Sequence, residues 1–218
     1  MKKSLVIIPT YNEAENILEI VDTIFGVAGG FHILIVDDNS SDGTGDIIDN
    51  LLSKAEFSDR FFALKRTGKL GLGTAYIEGF QWGIDRHYEL LFQMDADFSH
   101  DPSLLPQFAE LLDEHDVVCG SRYVDGGGCA NWNWARQLLS RAGSIYSRSI
   151  LRLPLRDLTG GFNGWRMDCL VAIDLATVQS EGYAFQIELK YRSWRRGFRL
   201  HEAPIIFNER RAGQSKMS

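Results

Sequence analysis

Short apolar runs recur along the first half of the chain: Leu5-Val6-Ile7-Ile8, His32-Ile33-Leu34-Ile35-Val36, Phe61-Phe62-Ala63-Leu64, Leu90-Leu91-Phe92-Gln93-Met94 and Val117-Val118-Cys119. Runs of this length bounded by turn residues read as buried strands. Between the first two, Ile17, Leu18, Ile20, Val21 and Ile24 recur at helical spacing. Asn12 or a neighbour is expected to cap that helix, and Gly29-Gly30 to stop it. Ser41-Asp42-Gly43-Thr44 turns into a helix through about Lys54, and Thr74 to Tyr88 and Pro102 to Glu114 read as two more.

Strands apolar on both faces, alternating with helices, predict an α/β fold: a mostly parallel sheet covered by helices on both faces. Ligands in such sheets bind beyond the carboxyl ends of the strands. Pro9-Thr10-Tyr11-Asn12-Glu13, Asp37-Asp38 and Asp95-Ala96-Asp97 all stand at such ends, so three polar clusters are expected on one rim. Asp95 and Asp97 repel each other there unless a cation or hydrogen bonds neutralise them. A hard divalent ion shared with a diphosphate suits that pair, because Mg²⁺ takes one or two carboxylates together with phosphate oxygens and water.

Composition narrows the field. The chain of 218 residues carries no Pro- or Ser-rich linker and reads as one domain. A net charge of −6 argues against a general nucleic-acid binder. The apolar runs are too short to span a bilayer. Met1-Lys2-Lys3-Ser4 leads straight into a strand pattern, so a cytoplasmic location is expected. Cys119, Cys129 and Cys169 lack metal-ligand spacing and are expected as reduced thiols, and the sequon Asn39-Ser40-Ser41 as unmodified.

The commoner nucleotide motifs are missing. Gly71-Leu72-Gly73 lacks the third glycine of a dinucleotide fingerprint, and Gly68-Lys69 precedes Leu70 rather than Ser or Thr. One segment breaks the acidic pattern. Asn131 to Arg156 holds Arg136, Arg141, Arg148, Arg152 and Arg156 and no Asp or Glu. On a helix, Arg141, Arg148 and Arg152 share one face, and Leu138, Leu139, Ala142, Ile145, Tyr146 and Leu153 another, with Trp132 and Trp134 ahead of them. Two readings stand: a surface that meets anionic lipid, or a helix packed on the core with a solvated basic edge.

Taken in order, the segments Ile8-Pro9-Thr10-Tyr11-Asn12-Glu13, Val36 to Thr44, Lys69 to Ala75, Met94 to His100 and Gly120-Ser121-Arg122-Tyr123 resemble the family 2 inverting glycosyltransferases with the GT-A fold. Asn131 to Arg136, Asp157-Leu158-Thr159-Gly160-Gly161-Phe162, Gly182 to Glu188 and Arg210 through Met217 narrow the resemblance to the dolichol- or polyprenol-phosphate mannose synthases.

That resemblance implies mannose transfer from GDP-mannose to a dolichyl or polyprenyl monophosphate, with Mg²⁺ or Mn²⁺. It assigns the donor to Pro9, Tyr11, Glu13, Val36, Asp38, Lys69, Asp95, Ala96, Asp97, Arg210 and Lys216. It assigns the metal to Asp95, Asp97 and Ser99, Ser99 standing where some relatives place a glutamine. The acceptor phosphate falls to Arg122, Arg136 and Ser140, with Asp95, Asp97 and Arg122 as the catalytic set. His100 is expected as an ordinary loop histidine rather than a base. The lipid acceptor implies peripheral attachment to the cytoplasmic membrane face, strengthened by a further C-terminal segment or an anchoring subunit. Three alternatives remain open to the residues alone: the same chemistry with UDP-glucose or another donor, a non-catalytic binding module, and a nucleotidyltransferase.

Overall fold

The computed structural model describes residues 2–130 and 134–209, with the backbone alone for 134–140. The chain runs β1 (Ser4–Thr10), α1 (Ile17–Gly26), β2 (His32–Asp37), α2 (Thr44–Ser53), β3 (Phe61–Lys65), α3 (Leu72–Asp85), β4 (Leu90–Gln93), α4 (Leu105–Leu111) and β5 (Val117–Ser121). It continues through β6 (Gly128–Cys129), α5 (Trp134–Leu151), β7 (Asn163–Arg166), α6 (Met167–Ala172), α7 (Gly182–Arg195), β8 (Leu200–Pro204) and β9 (Ile206–Phe207).

The main sheet has seven strands in the order β3-β2-β1-β4-β7-β5-β8 among the described residues. β7 alone runs antiparallel to its neighbours, so the other six point the same way. The expected α/β architecture is present, with helices on both faces. Alternation along each strand makes this possible. Val6 and Ile8 face the layer of α1, α2 and α4, where Ile20, Ile24, Ile48 and Phe108 are buried. Leu5 and Ile7 face the opposite layer of α3, α6 and α7, against Tyr76, Phe80, Leu170 and Leu189. Each fully buried side chain of this kind stabilises by roughly 1.5–3 kcal/mol.

α3 comes unusually close to the sheet. A Cβ on Gly79 would lie 2.5 Å from Ile7 Cγ2, and one on Gly83 2.5 Å from Leu91 Cδ2. Glycines one turn apart let the helix backbone rest on the strands.

Register places the rim. Thr10 pairs with Asp37, and Asp37 with Lys65, so β1, β2 and β3 end level. Asp95 and Asp97 follow the end of β4, and Arg122 follows β5, which points the same way. The antiparallel β7 begins at this rim, bringing the loop 157–162 beside Arg122.

Two local expectations are corrected. Asn12 does not cap α1: it has φ 56°, and its Oδ1 accepts from the Ser41 amide at 2.9 Å, tying the β1 loop to the β2 loop. Asn16 holds the cap position. α5 ends at Leu151, and Arg152 has φ 55°, so Arg152 and Leu153 leave the helical faces expected of them. Leu153 turns into the core.

Candidate active site

The β1 and β2 loops are stitched together before any ligand is considered. Asp37 accepts from Thr10 Oγ1 at 2.7 Å and from the Ser40 amide at 3.0 Å and hydroxyl at 2.6 Å. The Glu13 amide donates to Thr44 Oγ1 at 2.9 Å, and the Ala14 amide to Asp42 at 3.0 Å. Glu13 also accepts from Asn16 Nδ2 at 2.9 Å, which orients its carboxylate. Val36 and Ala96 have their side chains in the core, so they meet the rim through backbone only.

Asp38 is more committed than its sequence position implied. It forms a buried ion pair with Arg66 and accepts from the Leu70 and Gly71 amides, both at 3.1 Å. Arg66 also donates to Thr74 Oγ1 at 2.6 Å and reaches Glu78 at 3.1 Å. A carboxylate accepts about four hydrogen bonds, so these three donors leave room for one ribose hydroxyl. Arg66 escaped the sequence reading because a single basic residue after a strand carries no pattern. The same loop carries Lys69, whose Nζ lies 4.8 Å over the Tyr11 ring.

At the β4 end, the Ser99 amide donates to Asp97 Oδ1 at 3.0 Å, and Tyr76 lies 3.4 Å from Asp95 Oδ1. Burial, then the Asp95 charge, push the Tyr76 phenol well above its ordinary pKa, so it stays protonated and donates. The oxygen donors fit a hard cation. Ser99 Oγ is buried beside Asp97 without a hydrogen-bond partner, the kind of orphan oxygen a cation or its water would satisfy. Among the described residues no group of three or more His, Cys, Asp or Glu comes together. A metal here would take most of its ligands from phosphate and water.

On the other side of the rim, Arg122 is locked to Asp157. Nε donates to Oδ2 and Nη2 to Oδ1, both at 2.7 Å, while Nη2 also reaches Thr159 Oγ1 at 2.8 Å. Burial pushes the Asp157 carboxyl up, but the bonds and charge of Arg122 outweigh it, and its pKa lies below the ordinary value. Lys190, fully buried, donates Nζ to the Asp157, Leu158 and Gly160 carbonyls at 3.4, 3.3 and 3.0 Å. Glu202 holds the Arg156 and Asp157 amides, each at 2.8 Å. The side-on fork of Arg122 is therefore spent on Asp157.

Tyr123 lies between two cations, with Arg122 Cζ at 5.3 Å and Arg141 Cζ at 5.5 Å from its ring. Arg141 thus reaches the neighbourhood of Arg122 from α5. Arg136 and Ser140 lie in the first two turns of that helix, but their side chains, with Asn131, Trp132 and Asn133, fall outside the described residues. Arg210 and Lys216 also lie outside them.

On α5, Ser144 is buried and Ser147 half-buried, whereas Ile145, Tyr146 and Ile150 are 62, 70 and 60% exposed. Leu151, at the end of the helix, packs on the core. No helix among the described residues is long and apolar enough to cross a membrane.

Residues 5–172 match the family described as Glycosyl transferase family 2. The whole chain is 46% identical over 218 residues to the polyprenol monophosphomannose synthase of Mycolicibacterium smegmatis, spanning 82% of that relative. It is 46% identical over 214 residues to the undecaprenyl-phosphate mannosyltransferase of Micrococcus luteus, covering 98% of this chain and 87% of that one. A mannosyltransferase from Pyrobaculum calidifontis, solved with GDP-Man and Mn²⁺, shares the fold at TM-score 0.62 and 18% identity, over 95% of this chain and 56% of its own. With a family match over most of the chain and relatives this similar along all of it, the protein belongs to glycosyl transferase family 2.

Proposed function

We propose that the protein transfers mannose from GDP-mannose to a polyprenyl monophosphate, with inversion, giving polyprenyl phosphate mannose and GDP. One observation supports this reading: Asp95 and Asp97 follow β4 and Arg122 follows β5 on the same rim, an arrangement suited to a cation beside a bound phosphate. The names and similarity of the two relatives supply the sugar and the acceptor class. The GDP-Man and Mn²⁺ of the structural neighbour support the donor and the metal.

In this reading Tyr11 stacks on guanine, Glu13 accepts from its N–H groups, and Asp38 accepts from a ribose hydroxyl. Lys69 leaves the Tyr11 face when the base arrives and moves to the diphosphate. Arg210 and Lys216 complete the grip on the diphosphate. Asp95 and Asp97, with Ser99 beside them, would hold Mg²⁺ or Mn²⁺, which when bound stabilises the departing GDP as a Lewis acid.

Arg122, with Arg136 and Ser140, holds the acceptor phosphate in line behind the anomeric carbon. A phosphate monoester is already anionic near neutral pH, so no protein base is needed. Positioning and charge stabilisation on both sides supply the rate.

The acceptor's tail also gives α5 a role. Ile145, Tyr146 and Ile150 enter the interfacial region of the membrane while Arg141 and Arg148 meet anionic headgroups. Screening GDP- and UDP-sugars against a short polyprenyl phosphate tests the proposal. Turnover with GDP-mannose above the others supports it, and a preference for UDP-glucose would replace the donor.

A further inference from the structure

His100 is 2% exposed and is held on several sides. Its Nδ1 accepts from the Asp95 amide at 3.2 Å. Its ring stacks on Phe162 at 5.2 Å and meets the Phe207 ring nearly at right angles at 5.6 Å. A nitrogen that accepts from an amide carries no proton, so the proton of the neutral ring sits on Nε2.

Nε2 has no hydrogen-bond partner among the described residues. The Cε1 edge beside it faces Gly161, where a Cβ would stand 3.7 Å from Cε1 and 3.9 Å from Gln186 Nε2. The Phe207 ring that His100 meets also lies under Arg122, whose Cζ is 5.6 Å from it, so His100 touches the Asp95 loop on one side and shares Phe207 with Arg122 on the other.

We infer that His100 is a phosphate-binding residue, its Nε2–H donating to a phosphate oxygen held between Asp95/Asp97 and Arg122. The inference rests on the functional reading above. A neutral donor suits this place, because it binds an anion without adding a third positive charge beside the metal and Arg122. The Nδ1 bond to the Asp95 amide fixes the tautomer and aims the ring, so one side chain both braces the metal loop and reads the ligand. The oxygen belongs to the leaving diphosphate or to the acceptor monophosphate, and the two are separable.

The test compares His100→Gln, whose terminal amide can stand at Nε2, with His100→Asn, whose oxygen can stand at Nδ1, and with His100→Ala. Binding of GDP with Mg²⁺ by calorimetry and KM for a short polyprenyl phosphate are read for each. Loss of one charge-assisted bond predicts an effect on the order of 10–100-fold in Asn and Ala, and much less in Gln. Loss in GDP affinity assigns the leaving diphosphate, and loss in acceptor KM assigns the acceptor. Rescue by Asn rather than Gln, or no change in either measurement, overturns the inference.

Because substitution at a buried ring can unfold the chain, ¹⁵N-histidine NMR of the wild type provides a second measurement. The Nε2 signal should shift on adding GDP–Mg²⁺ or the lipid phosphate. Ligand binding with an unmoved Nε2 overturns this inference alone. Failure of the wild type to bind either ligand overturns the functional reading, and this inference with it.

Discussion

Arg122 and Asp157 form a buried, two-bond ion pair, Nε to Oδ2 and Nη2 to Oδ1 at 2.7 Å each. Both side chains are buried, that of Asp157 completely. Asp157→Ala should therefore cost on the order of 3–5 kcal/mol in urea unfolding, because it strands a buried cation. The pH dependence follows from the lowered carboxyl pKa of Asp157. A depressed folded pKa gives stabilisation that is complete above the unfolded value, near ~3.9, and is lost as pH falls through the folded one. Wild type and Asp157→Asn should differ most at neutral pH and converge in acid below that window. A constant gap down to the acid limit would contradict this.

Arg66 holds Asp38 against the loop that carries Lys69. Arg66→Ala should weaken GDP binding roughly tenfold or more while leaving the KM for lipid phosphate nearly unchanged, on the scale of a lost charge-assisted bond. Calorimetry with GDP and steady-state kinetics with the acceptor check the two halves. An equal loss on both would mean that the residue supports the fold and not the donor loop.

The sheet was legible because its strands are apolar on both faces, a signal that Leu5 to Ile8 and Ile33 to Val36 carry plainly. β7 was not. Asn163-Gly164-Trp165-Arg166 has no apolar run, since Asn163 is buried through hydrogen bonds to Gln93 and Gln186, both at 3.1 Å. Polar pairing of that kind has no period in sequence. The rim carboxylates were legible from their place at strand ends. Arg66 beside Asp38, Asp157 beside Arg122 and Lys190 behind the Asp157 loop were not: each acts through a residue 28 to 35 positions away. Asp157 lay inside a segment that resembled the family, but spacing alone assigned it no partner. α5 was legible as a basic amphipathic helix, and only packing reveals that Ser144 faces inward and Tyr146 outward.

Asp97 stands 5% exposed at the end of β4 with Ser99 beside it. Asp97→Ala should lower turnover by at least about 100-fold with the melting temperature little changed, because removing one of two neighbouring carboxylates relieves repulsion when no metal is bound. Excess chelator should have a similar effect on the wild type. Full activity in chelator would remove the metal from the account.

Ile145, Tyr146 and Ile150 lie outward on the helix that also carries Arg141 and Arg148. Flotation with anionic liposomes should show binding at low salt that weakens at high salt, each arginine near the surface adding about 1 kcal/mol. Tyr146→Asp together with Arg148→Glu should abolish flotation but spare activity on a short, water-soluble acceptor. Unchanged flotation would move the docking surface elsewhere.

In the proposed reaction an anionic phosphate, held by Arg122 and needing no protein base, is the nucleophile. The most direct measurement of this compares a short polyprenyl phosphate with the matching polyprenol as acceptors for GDP-mannose, with the anomeric linkage of the product read by NMR. The account predicts a β-linked mannosyl phosphate from the phosphate and no detectable product from the alcohol. Equal mannosylation of the alcohol, or an α-linked phosphate, would contradict it.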